Sequence, residues 1–469
     1  MNDLNTRILT PEEIRARQPD AIPTDALTPL ERTRARVERA GQWNETQHLG
    51  RRFAIGCVAL EITQRCNLDC TLCYLSESSE ALKDIPLEEV FRRIDMIHTH
   101  YGPGTDVQVT GGDPTLRKAD EIVQIVRYIR SKGMRASFFT NGILAKHELL
   151  KDLVAAGLTD IAFHVDMTQE RKGFANEMEL NVLRDKCIEQ ASGLKLQIFF
   201  NTTVFDGNFH EIPQLARYFA DHADRVQLAS FQLQADTGRG VLHERGYEIS
   251  TASVQTQIER GIGNRLEFGG LGTGHPDCNR SAITLVANGH VHGIFSNLEY
   301  AGELLRGTAK INFDRANKKL TGLRVLLAIA LRPKLAVHSI IHYGCLAWRM
   351  RGDVWRARGR VHALGFFIHN FMDAEHLQCD RVNSCSFMVM TPDGPLSMCL
   401  HNAKRDDYLV RPIKIKRDGE AQWWNPVTGT TTAALPDDVT VQLTRKNARG
   451  RAKQALDTCR KHTAEEVKS

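Results

Sequence analysis

Three cysteines, Cys66, Cys70 and Cys73, lie within one short loop directly after the apolar run 57–62. Thiolates this close in sequence converge only where a partner holds them, because free thiolates repel one another and oxidise. A closed structural zinc site takes four protein ligands, whereas a four-iron cluster held by three cysteines keeps one iron open to a small molecule. The spacing therefore indicates an iron–sulfur cluster with an open iron, and a zinc knuckle is the alternative.

A second group of cysteines lies near the C-terminus, where Cys379, Cys385 and Cys399 follow one another at x5 and x13 spacings. Pro392-Asp393-Gly394, flanked by apolar runs, predicts a β-hairpin that brings Cys385 and Cys399 together. Cys278, after a glycine-rich loop, would complete a set of four thiolates. An auxiliary four-iron cluster and a structural zinc ion both fit this set.

The elements that must position the first three cysteines alternate between short apolar strands and amphipathic helices. Strands are predicted at 58–62, 106–110, 135–140, 160–165, 194–201 and 225–231, with helices at 87–98, 119–131 and 148–156. This order predicts an α/β fold with a parallel sheet and crossover helices. Six units are too few for a closed eight-stranded barrel, so we expect an open, partial (β/α)6 barrel with a cysteine-bearing α+β extension at its C-terminal side.

Polar and glycine residues follow several of these strands, at the end where parallel-sheet enzymes place their chemistry. Gly111 and Gly112 permit close backbone approach, and Asp113 has the charge to pair with a ligand ammonium; a plain turn is the alternative. Asn141 follows the third strand, where an ordinary Asn-Gly turn is equally compatible.

The later strand ends carry further candidates for binding a ribose or a substrate. Asp166 and Asn201 end the fourth and fifth strands, although local capping explains both almost as well. His164 is better explained as a hydrogen-bonded core residue. Arg239, after the sixth strand, would hold a carboxylate or phosphate or form a surface ion pair.

Composition restricts the class of protein. The 469 residues contain eleven cysteines, too few for a disulfide scaffold, and their clustering indicates ligands in a reducing compartment. Cys57, Cys187, Cys345 and Cys459 are interpreted as ordinary packed or surface thiols. The net charge of +5 is too small to argue for nucleic acid, and the N-terminus has no signal pattern. We expect a cytoplasmic protein, with peripheral contact at the inner membrane surface left open.

The chain divides by composition into successive regions. They are a helical lead-in (1–50, with helix starts at Pro11 and Pro29), the barrel core (51–240), a connecting region (241–314), a basic amphipathic helical arm (315–370) and the hairpin and tail (371–469).

The segment 315–360 is the most unusual of these regions, with eleven lysines and arginines against one acid, Asp353, and with interleaved apolar runs and tryptophans. Such a segment can lie on an anionic membrane or embrace a lipid chain. A helical arm packed on the barrel with a solvated basic face is favoured slightly, since Pro333 and Gly344 would break it into short pieces. Nucleic-acid binding is a weaker third interpretation.

The cysteine loop and the segment Gly111-Gly112-Asp113-Pro114 together resemble the radical S-adenosylmethionine (radical SAM) superfamily. The resemblance implies that the open iron chelates the amino and carboxylate groups of S-adenosylmethionine and that the glycine segment contacts the methionine amino group. Two departures stand out: Leu72 occupies a position that is usually aromatic, and Asp113 is one methylene shorter than the usual glutamate.

Four C-terminal motifs resemble one branch of that superfamily, which contains the archaeal tetraether lipid synthases and the pterin methylases of methanogens. They are Gly274–Cys278, Asn370–Asp373, Asp380–Val382 and Thr391–Gly394. The resemblance spans about residues 55–405. Those relatives carry additional N-terminal cysteine sites, whereas this chain has no cysteine before Cys57.

The resemblance implies reductive cleavage of S-adenosylmethionine to a 5′-deoxyadenosyl radical, which removes hydrogen from an unactivated C–H bond. It implies cofactor binding by Gly111, Gly112, Asp113 and Asn141 and cluster ligation by Cys66, Cys70 and Cys73. Asp166 and Asn201 are added as candidate cofactor-binding residues from their places at strand ends. Cys278, Cys379, Cys385 and Cys399 are the candidate auxiliary set from their spacing. No catalytic residue of the chain itself is indicated.

Within that class, C–C coupling or modification of a lipid alkyl chain is the first expectation, and methylation of a pterin or other heterocycle is the alternative. A non-catalytic iron–sulfur or zinc protein is a third possibility. The partners expected are a small-molecule or lipid substrate and an electron donor such as flavodoxin or ferredoxin, with no nucleic acid.

Overall fold

The structure is a computed structural model that describes residues 7–242, 244–295, 297–311, 318–417, 419–436 and 439–466. The side chains of Lys318 and of residues 459–466 are not described. Arg315, the start of the predicted basic segment, and the predicted boundary at 314 therefore lie outside the described residues, as does the side chain of Cys459.

The strands of the described residues are numbered in chain order. They are β1 (Cys57–Thr63), β2 (Asp106–Gly111), β3 (Arg135–Thr140), β4 (Asp160–His164), β5 (Gln197–Val204), β6 (Val226–Leu233), β7 (Asn279–Ala287), β8 (His290–Gly293), β9 (His362–Asn370), β10 (Phe387–Met390), β11 (Pro395–Ser397), β12 (Ile413–Arg417), β13 (Glu420–Trp424) and β14 (Thr431–Thr432).

The helices are numbered in the same way. They are α1 (Pro11–Ala16), α2 (Pro29–Arg39), α3 (Leu87–Tyr101), α4 (Ala119–Ser131), α5 (His147–Ala155), α6 (Asn181–Gln190), α7 (Ile212–Asp221), α8 (Thr251–Ile262), α9 (Leu298–Gly307), α10 (Lys318–Ala330), α11 (Pro333–Arg356), α12 (Cys379–Asn383), α13 (Met398–Ala403), α14 (Asp406–Leu409) and α15 (Gly450–Glu466).

The six predicted strands form β1 to β6, which pair side by side in parallel and in chain order. The sheet is larger than predicted, because β10 adds in parallel to β1 and β9 adds in parallel to β6. Antiparallel strands β11, β7 and β8 complete the order β11-β10-β1-β2-β3-β4-β5-β6-β9-β7-β8. Among the described strands the two edges, β11 and β8, are not paired with each other, so the barrel is open.

Local sequence explains the helix starts. Thr10 and Thr28 cap α1 and α2, each accepting a backbone N–H and each paired with a glutamate three residues on, which confirms the two predicted capped starts. In α4 the apolar side chains recur at three- and four-residue intervals and are buried against the sheet. The helices therefore cover the sheet with one apolar face each.

The C-terminal hairpin is formed as predicted, with β10 and β11 antiparallel around the turn at 391–394. Within this C-terminal extension, β10 pairs in parallel with β1 and so continues the main sheet. Further along, β12 to β14 make a small antiparallel sheet of their own. The end of the chain returns to the cysteine loop, where the backbone N–H of Gly450 at the start of α15 donates to Asp69 Oδ1 at 3.2 Å.

The helical arm consists of α10 and α11, which pack on α9 and on the edge strands β7 and β8. The prediction that Gly344 interrupts it is wrong: α11 runs unbroken through that glycine, which has free space around it. Pro333 does separate α10 from α11, but it opens α11 at a position where its missing N–H costs nothing. No helix of the described residues is long and apolar enough to cross a membrane.

Candidate active site

The curved inner face of the sheet surrounds one cavity of about 490 Å3 below the carboxyl ends of the parallel strands. Most of the surface that lines it is apolar and includes Phe139, Phe199, Leu228 and Phe367 from four different strands. The cysteine loop lies against one end of this cavity, so that a molecule bound there is in contact with both the loop and the apolar wall.

Cys66, Cys70 and Cys73 all line this cavity and are half-buried. Burial raises the pKa of the Cys70 thiol, and the neighbouring Cys73, Asp166 and Cys66 raise it further, which places the three thiols around one volume. Among the described residues, no three Cys, His, Asp or Glu side chains converge tightly enough to hold a single metal ion. Three cysteine thiols that line one cavity are the ligand type and number that can hold an iron–sulfur cluster with one open iron.

Gly111 and Gly112 border the cavity next to the cysteine loop and are called the glycine rim below. Close packing requires a glycine at both positions. Gly111 has a φ of +139°, and a Cβ at either glycine would overlap a carbonyl oxygen, that of Thr63 or that of Arg65. The N–H of Gly112 donates to Thr63 O at 3.0 Å, and the hydroxyl of Tyr74 donates to Gly111 O at 2.7 Å. The glycine segment is thus bonded to both ends of the cysteine loop.

Asp113 lies behind this rim, where it is buried. Its carboxylate accepts the backbone N–H of Asn141 at 2.8 Å and the hydroxyl of Thr140 at 2.9 Å, and it also accepts from Thr115. The structure therefore does not bring this carboxylate to the cavity wall, as a contact with a ligand ammonium would require. Asn141 does line the cavity, and its side chain donates to Asn67 Oδ1 in the cysteine loop at 2.6 Å.

Asp166 also lies behind the wall rather than on it. Its carboxylate caps the short turn 167–169 by accepting the N–H of Thr168 at 2.9 Å, and Thr168 O in turn accepts the N–H of Thr71 at 2.8 Å. Thr71 lies between Cys70 and Cys73 in the cysteine loop. Asp166 therefore positions the cysteine loop, and the prediction that it caps a local turn is confirmed. Asn201, in contrast, lines the cavity, as expected for a binding residue.

His164 lines the cavity while hydrogen-bonded to Asp166, with Nε2 2.6 Å from Oδ2. Burial by itself would lower the pKa of the imidazole, but the Asp166 carboxylate raises it above its ordinary value. The same contact lowers the pKa of Asp166 to about 2, against the effect of burial. The Asp166 carboxylate therefore favours the protonated form of the His164 imidazole at the cavity wall, in addition to forming the core hydrogen bond expected from the sequence.

Arg239 is fully buried beneath the cysteine loop, so the prediction of a surface ion pair is wrong. Its Nη1 donates to Glu80 Oε1 at 3.3 Å and its Nη2 to Leu68 O at 3.3 Å. The same Glu80 oxygen accepts the N–H of Cys66 at 3.0 Å. Sequence alone could not reveal this arrangement, because a single arginine after a strand gives no signal of its burial.

A second buried ion pair, absent from the sequence predictions, borders the cavity at Glu61. Arg405 Nη1 donates to Glu61 Oε2 at 2.7 Å, and its guanidinium lies over the ring of Tyr74, 4.8 Å from the centroid. Burial would raise the pKa of Glu61, but Arg405 and His401 lower it to about 2. The sequence gives one indication of this ion pair, which is the charged Glu61 inside the otherwise apolar strand β1.

Three of the four predicted auxiliary ligands come together, and one does not. Cys278, Cys385 and Cys399 line a single small pocket, where Arg381 Nε donates to Cys278 Sγ at 3.2 Å. Cys379, at the first position of α12, instead faces the N-terminal lead-in and accepts from Arg17 Nη2 at 3.4 Å. Cys379 does not line the pocket of the other three thiols, so a single site with four thiolates stays a prediction.

The pocket of the second cysteine group lies next to the main cavity and shares part of its lining. Side chains from β9 and from the C-terminal hairpin, including His369, Phe371, Phe387 and Met398, line both the main cavity and the pocket of the second group. His369 stacks on Phe371 with ring centroids 4.1 Å apart, and burial lowers its pKa to about 3, so the imidazole is neutral. An aromatic wall thus separates the cavity from the second thiol group.

Comparison with known proteins agrees with this geometry. The family model of the radical SAM superfamily matches residues 60–219, which contain the cysteine loop, the glycine rim and strands β2 to β5. The segment that carries the resemblance in sequence is therefore the segment that positions the three cysteines.

Similar curated proteins include the 7,8-dihydro-6-hydroxymethylpterin dimethyltransferase of Methanocaldococcus jannaschii, which is 28% identical over 390 residues, 73% of this chain and 76% of the relative. The Fe-coproporphyrin III synthase of Methanosarcina barkeri is also 28% identical, over 43% of this chain and 51% of its own length. Among solved structures, Streptococcus suis SuiB bound to S-adenosylmethionine aligns with 15% identity and a TM-score of 0.34, over 43% of this chain and 45% of SuiB.

The residues present fit the cofactors that this family uses. Three thiols without a fourth protein ligand leave one iron of a cluster open, and Gly111, Gly112 and Asn141 border the space next to it. The chain carries a radical SAM domain at residues 60–219 and is a radical SAM enzyme with a [4Fe-4S] cluster and S-adenosylmethionine as cofactors.

Proposed function

We propose that the enzyme removes hydrogen from an unactivated C–H bond of a lipid-like substrate, whose alkyl portion enters the cavity below the cysteine loop. The observation that carries this proposal is the wall of inward-facing apolar residues from β3, β5, β6 and β9. An apolar wall of this kind favours an alkyl group over a charged one, since burial of apolar surface is the main favourable term.

The cluster and bound S-adenosylmethionine supply a 5′-deoxyadenosyl radical, and the chain supplies position and shielding from water. Gly111 and Gly112 hold the cysteine loop close to the rim, and Asn141 ties that loop to β3. Phe139 and Phe199 exclude water from the region that the alkyl chain would occupy. The reducing electron is proposed to come from a protein donor such as flavodoxin or ferredoxin.

The second thiol group supports C–C coupling or another modification that needs a further redox centre. Cys278, Cys385 and Cys399 lie behind the aromatic wall of the same cavity, within reach of a substrate radical or of an electron leaving it. We propose an auxiliary four-iron cluster there, held by these three thiols. Structural zinc is the alternative, and iron and zinc analysis separates the two.

Methylation of a pterin-like heterocycle is a second candidate. It is favoured by the similarity to the dimethyltransferase of Methanocaldococcus jannaschii, which extends over most of both chains. The neutral His369 and the phenylalanines of the wall would stack on a flat ring as readily as they would contact an alkyl chain.

The two candidates differ in where the hydrogen comes from. Anaerobic enzyme with dithionite and S-adenosylmethionine is incubated with detergent-dispersed phosphatidylglycerol that carries perdeuterated acyl chains. Deuterium in the 5′-deoxyadenosine is expected if the lipid is the hydrogen donor. Unlabelled 5′-deoxyadenosine, together with methyl transfer from labelled S-adenosylmethionine to 6-hydroxymethyl-7,8-dihydropterin, would favour the second candidate and overturn the first.

A further inference from the structure

The helical arm has two apolar faces, of which one is packed and the other is exposed. In α11 the residues Leu335, Ser339, Leu346 and Met350 are buried on α9 and the edge strands. The opposite side of the same helix carries large apolar side chains in water: Ile340 is 73% exposed and Trp355 is 82% exposed. A soluble helix needs one apolar face to pack, so the second requires another explanation.

The preceding helix repeats this arrangement. In α10, Ile329 is buried against the packed cluster around Tyr300, whereas Leu323, Leu326 and Leu327 are exposed. Leu331, at the connection between the two helices, is 80% exposed. The exposed apolar residues of α10 follow one another at three- and four-residue intervals, and Ile341, Trp348 and Trp355 of α11 at seven-residue intervals, so the exposed residues of each helix lie along one side as an apolar stripe.

The charge of the arm indicates what covers these stripes. From residue 318 to 360 the chain carries ten lysines and arginines against the single acid Asp353, and that acid is engaged by His292 Nε2 at 2.9 Å and by Arg356. A second copy of the arm would bring like charges together, and the apolar stripes do not suit a nucleic acid. An anionic lipid surface satisfies both the cations and the apolar side chains.

A groove at the base of the arm adds a separate observation. It has a volume of about 850 Å3 between the end of α11 and β7, with walls that include Leu285, Met350 and Trp355. The only charged side chains in its lining are Arg351 and Arg358, and no ion pair is formed by Arg358 among the described residues. An apolar slot with a guanidinium at its edge suits one acyl chain and its phosphate.

We propose that the helical arm docks the enzyme on an anionic phospholipid bilayer, with the exposed stripes of α10 and α11 in the interface and the groove occupied by an acyl chain. The arm lies in the plane of the membrane surface and does not cross it, because lysines and arginines interrupt its apolar runs. This inference rests on the proposed function only in that the same membrane would supply the lipid-like substrate.

The test is flotation of the anaerobic holoenzyme with vesicles. We expect the protein to float with equimolar phosphatidylcholine and phosphatidylglycerol, and to stay in the soluble fraction with phosphatidylcholine alone. Ile340→Asp and Arg358→Glu should each weaken binding to the anionic vesicles by about tenfold or more. Val182→Asp, at a 67% exposed site on α6, is the matched control and should bind like the unaltered enzyme.

Several outcomes would overturn the proposal. The proposal is wrong if the unaltered protein floats with neither vesicle or floats equally with both. It is also wrong if Val182→Asp and Ile340→Asp lose binding to the anionic vesicles equally. A dimer in sedimentation velocity that Ile340→Asp dissolves would show that a second copy covers the arm. Deuterium transfer from detergent-dispersed lipid to 5′-deoxyadenosine is measured in the same variants. If transfer occurs but the protein does not float, only the docking proposal is wrong. If the protein floats but no transfer occurs, only the proposed substrate is wrong.

Discussion

Arg239 and Glu80 form a buried ion pair directly beneath the cysteine loop, with 3.3 Å between Nη1 and Oε1. Glu80 also accepts the backbone N–H of Cys66, so the pair holds the first cluster cysteine in place. The Nε of Arg239 has no hydrogen-bond partner among the described residues. The guanidinium thus contributes a positive charge close to a site where a cluster and its thiolates would concentrate negative charge.

Removal of that charge should make the cluster harder to reduce. Local charge is one of the determinants of iron–sulfur potentials, and about 59 mV corresponds to a tenfold change for a one-electron couple. Arg239→Met is therefore expected to lower the potential by tens of millivolts in a redox titration followed by electron paramagnetic resonance. Arg239→Lys should retain most of the native value. An unchanged potential in Arg239→Met, at normal iron content, would contradict a role for the charge.

Substitution of Gly112 should disturb the cysteine loop. A Cβ there would overlap Arg65 O, so Gly112→Ala must displace the loop or the rim. We expect lower iron content and a free energy of unfolding reduced by about 1–3 kcal/mol, measured by reconstitution and urea denaturation. Gly322→Ala in α10 is the control, because nothing lies within 4 Å of its added Cβ. Equal behaviour of the two variants would refute the packing argument.

The Glu61–Arg405 pair should make stability depend on pH in the acid range. Arg405 holds the pKa of Glu61 at about 2 in the folded protein, against about 4.3 for an unperturbed glutamate. The contribution is therefore complete above pH 4.3 and is lost as the pH falls towards 2. The free energy of unfolding of the unaltered protein should fall more steeply over this window than that of Glu61→Gln.

Loss of one partner should be costly at neutral pH. Arg405→Met leaves a buried carboxylate without its cation, and about 3–5 kcal/mol of destabilisation is expected from urea unfolding. The double variant with Glu61→Gln should recover part of that loss. A single variant as stable as the native protein would show that Glu61 and Arg405 are not a buried, directly bonded pair.

The four candidate ligands of the second thiol group should differ in how their substitution changes the iron content. Cys385→Ala is expected to reduce iron from about eight to about four atoms per chain, as the loss of one of two four-iron clusters requires. Cys379→Ala should retain about eight, because Cys379 accepts from Arg17 and does not line the pocket of the other three thiols. Iron and sulfide analysis of both proteins is the measurement, and a similar loss in both would restore Cys379 to the ligand set.

The amino-acid sequence alone predicts the features of the structure that depend on local spacing. The cysteine loop, the glycine rim, the parallel order of β1 to β6 and the hairpin around 391–394 all follow from short patterns. Each of these patterns is set within about one strand–helix unit, where hydrophobic period and turn residues are strong signals.

Features that depend on long-range packing could not be predicted in this way. The pairing of β9 with β6 joins residues more than a hundred positions apart, and no local pattern records it. Burial of Arg239, the inward turn of Asp113 and the outward turn of Cys379 depend on which neighbours pack around each side chain. Tertiary contacts, rather than residue type, decide whether such a side chain faces a ligand.

The most direct test of the account is the cleavage of S-adenosylmethionine by anaerobically reconstituted enzyme with dithionite. We predict formation of 5′-deoxyadenosine by the unaltered protein and its absence in Cys70→Ala, with both followed by chromatography and mass spectrometry. Equal yields from the two proteins, or no 5′-deoxyadenosine from an unaltered protein that contains its full iron, would contradict a cluster held by Cys66, Cys70 and Cys73.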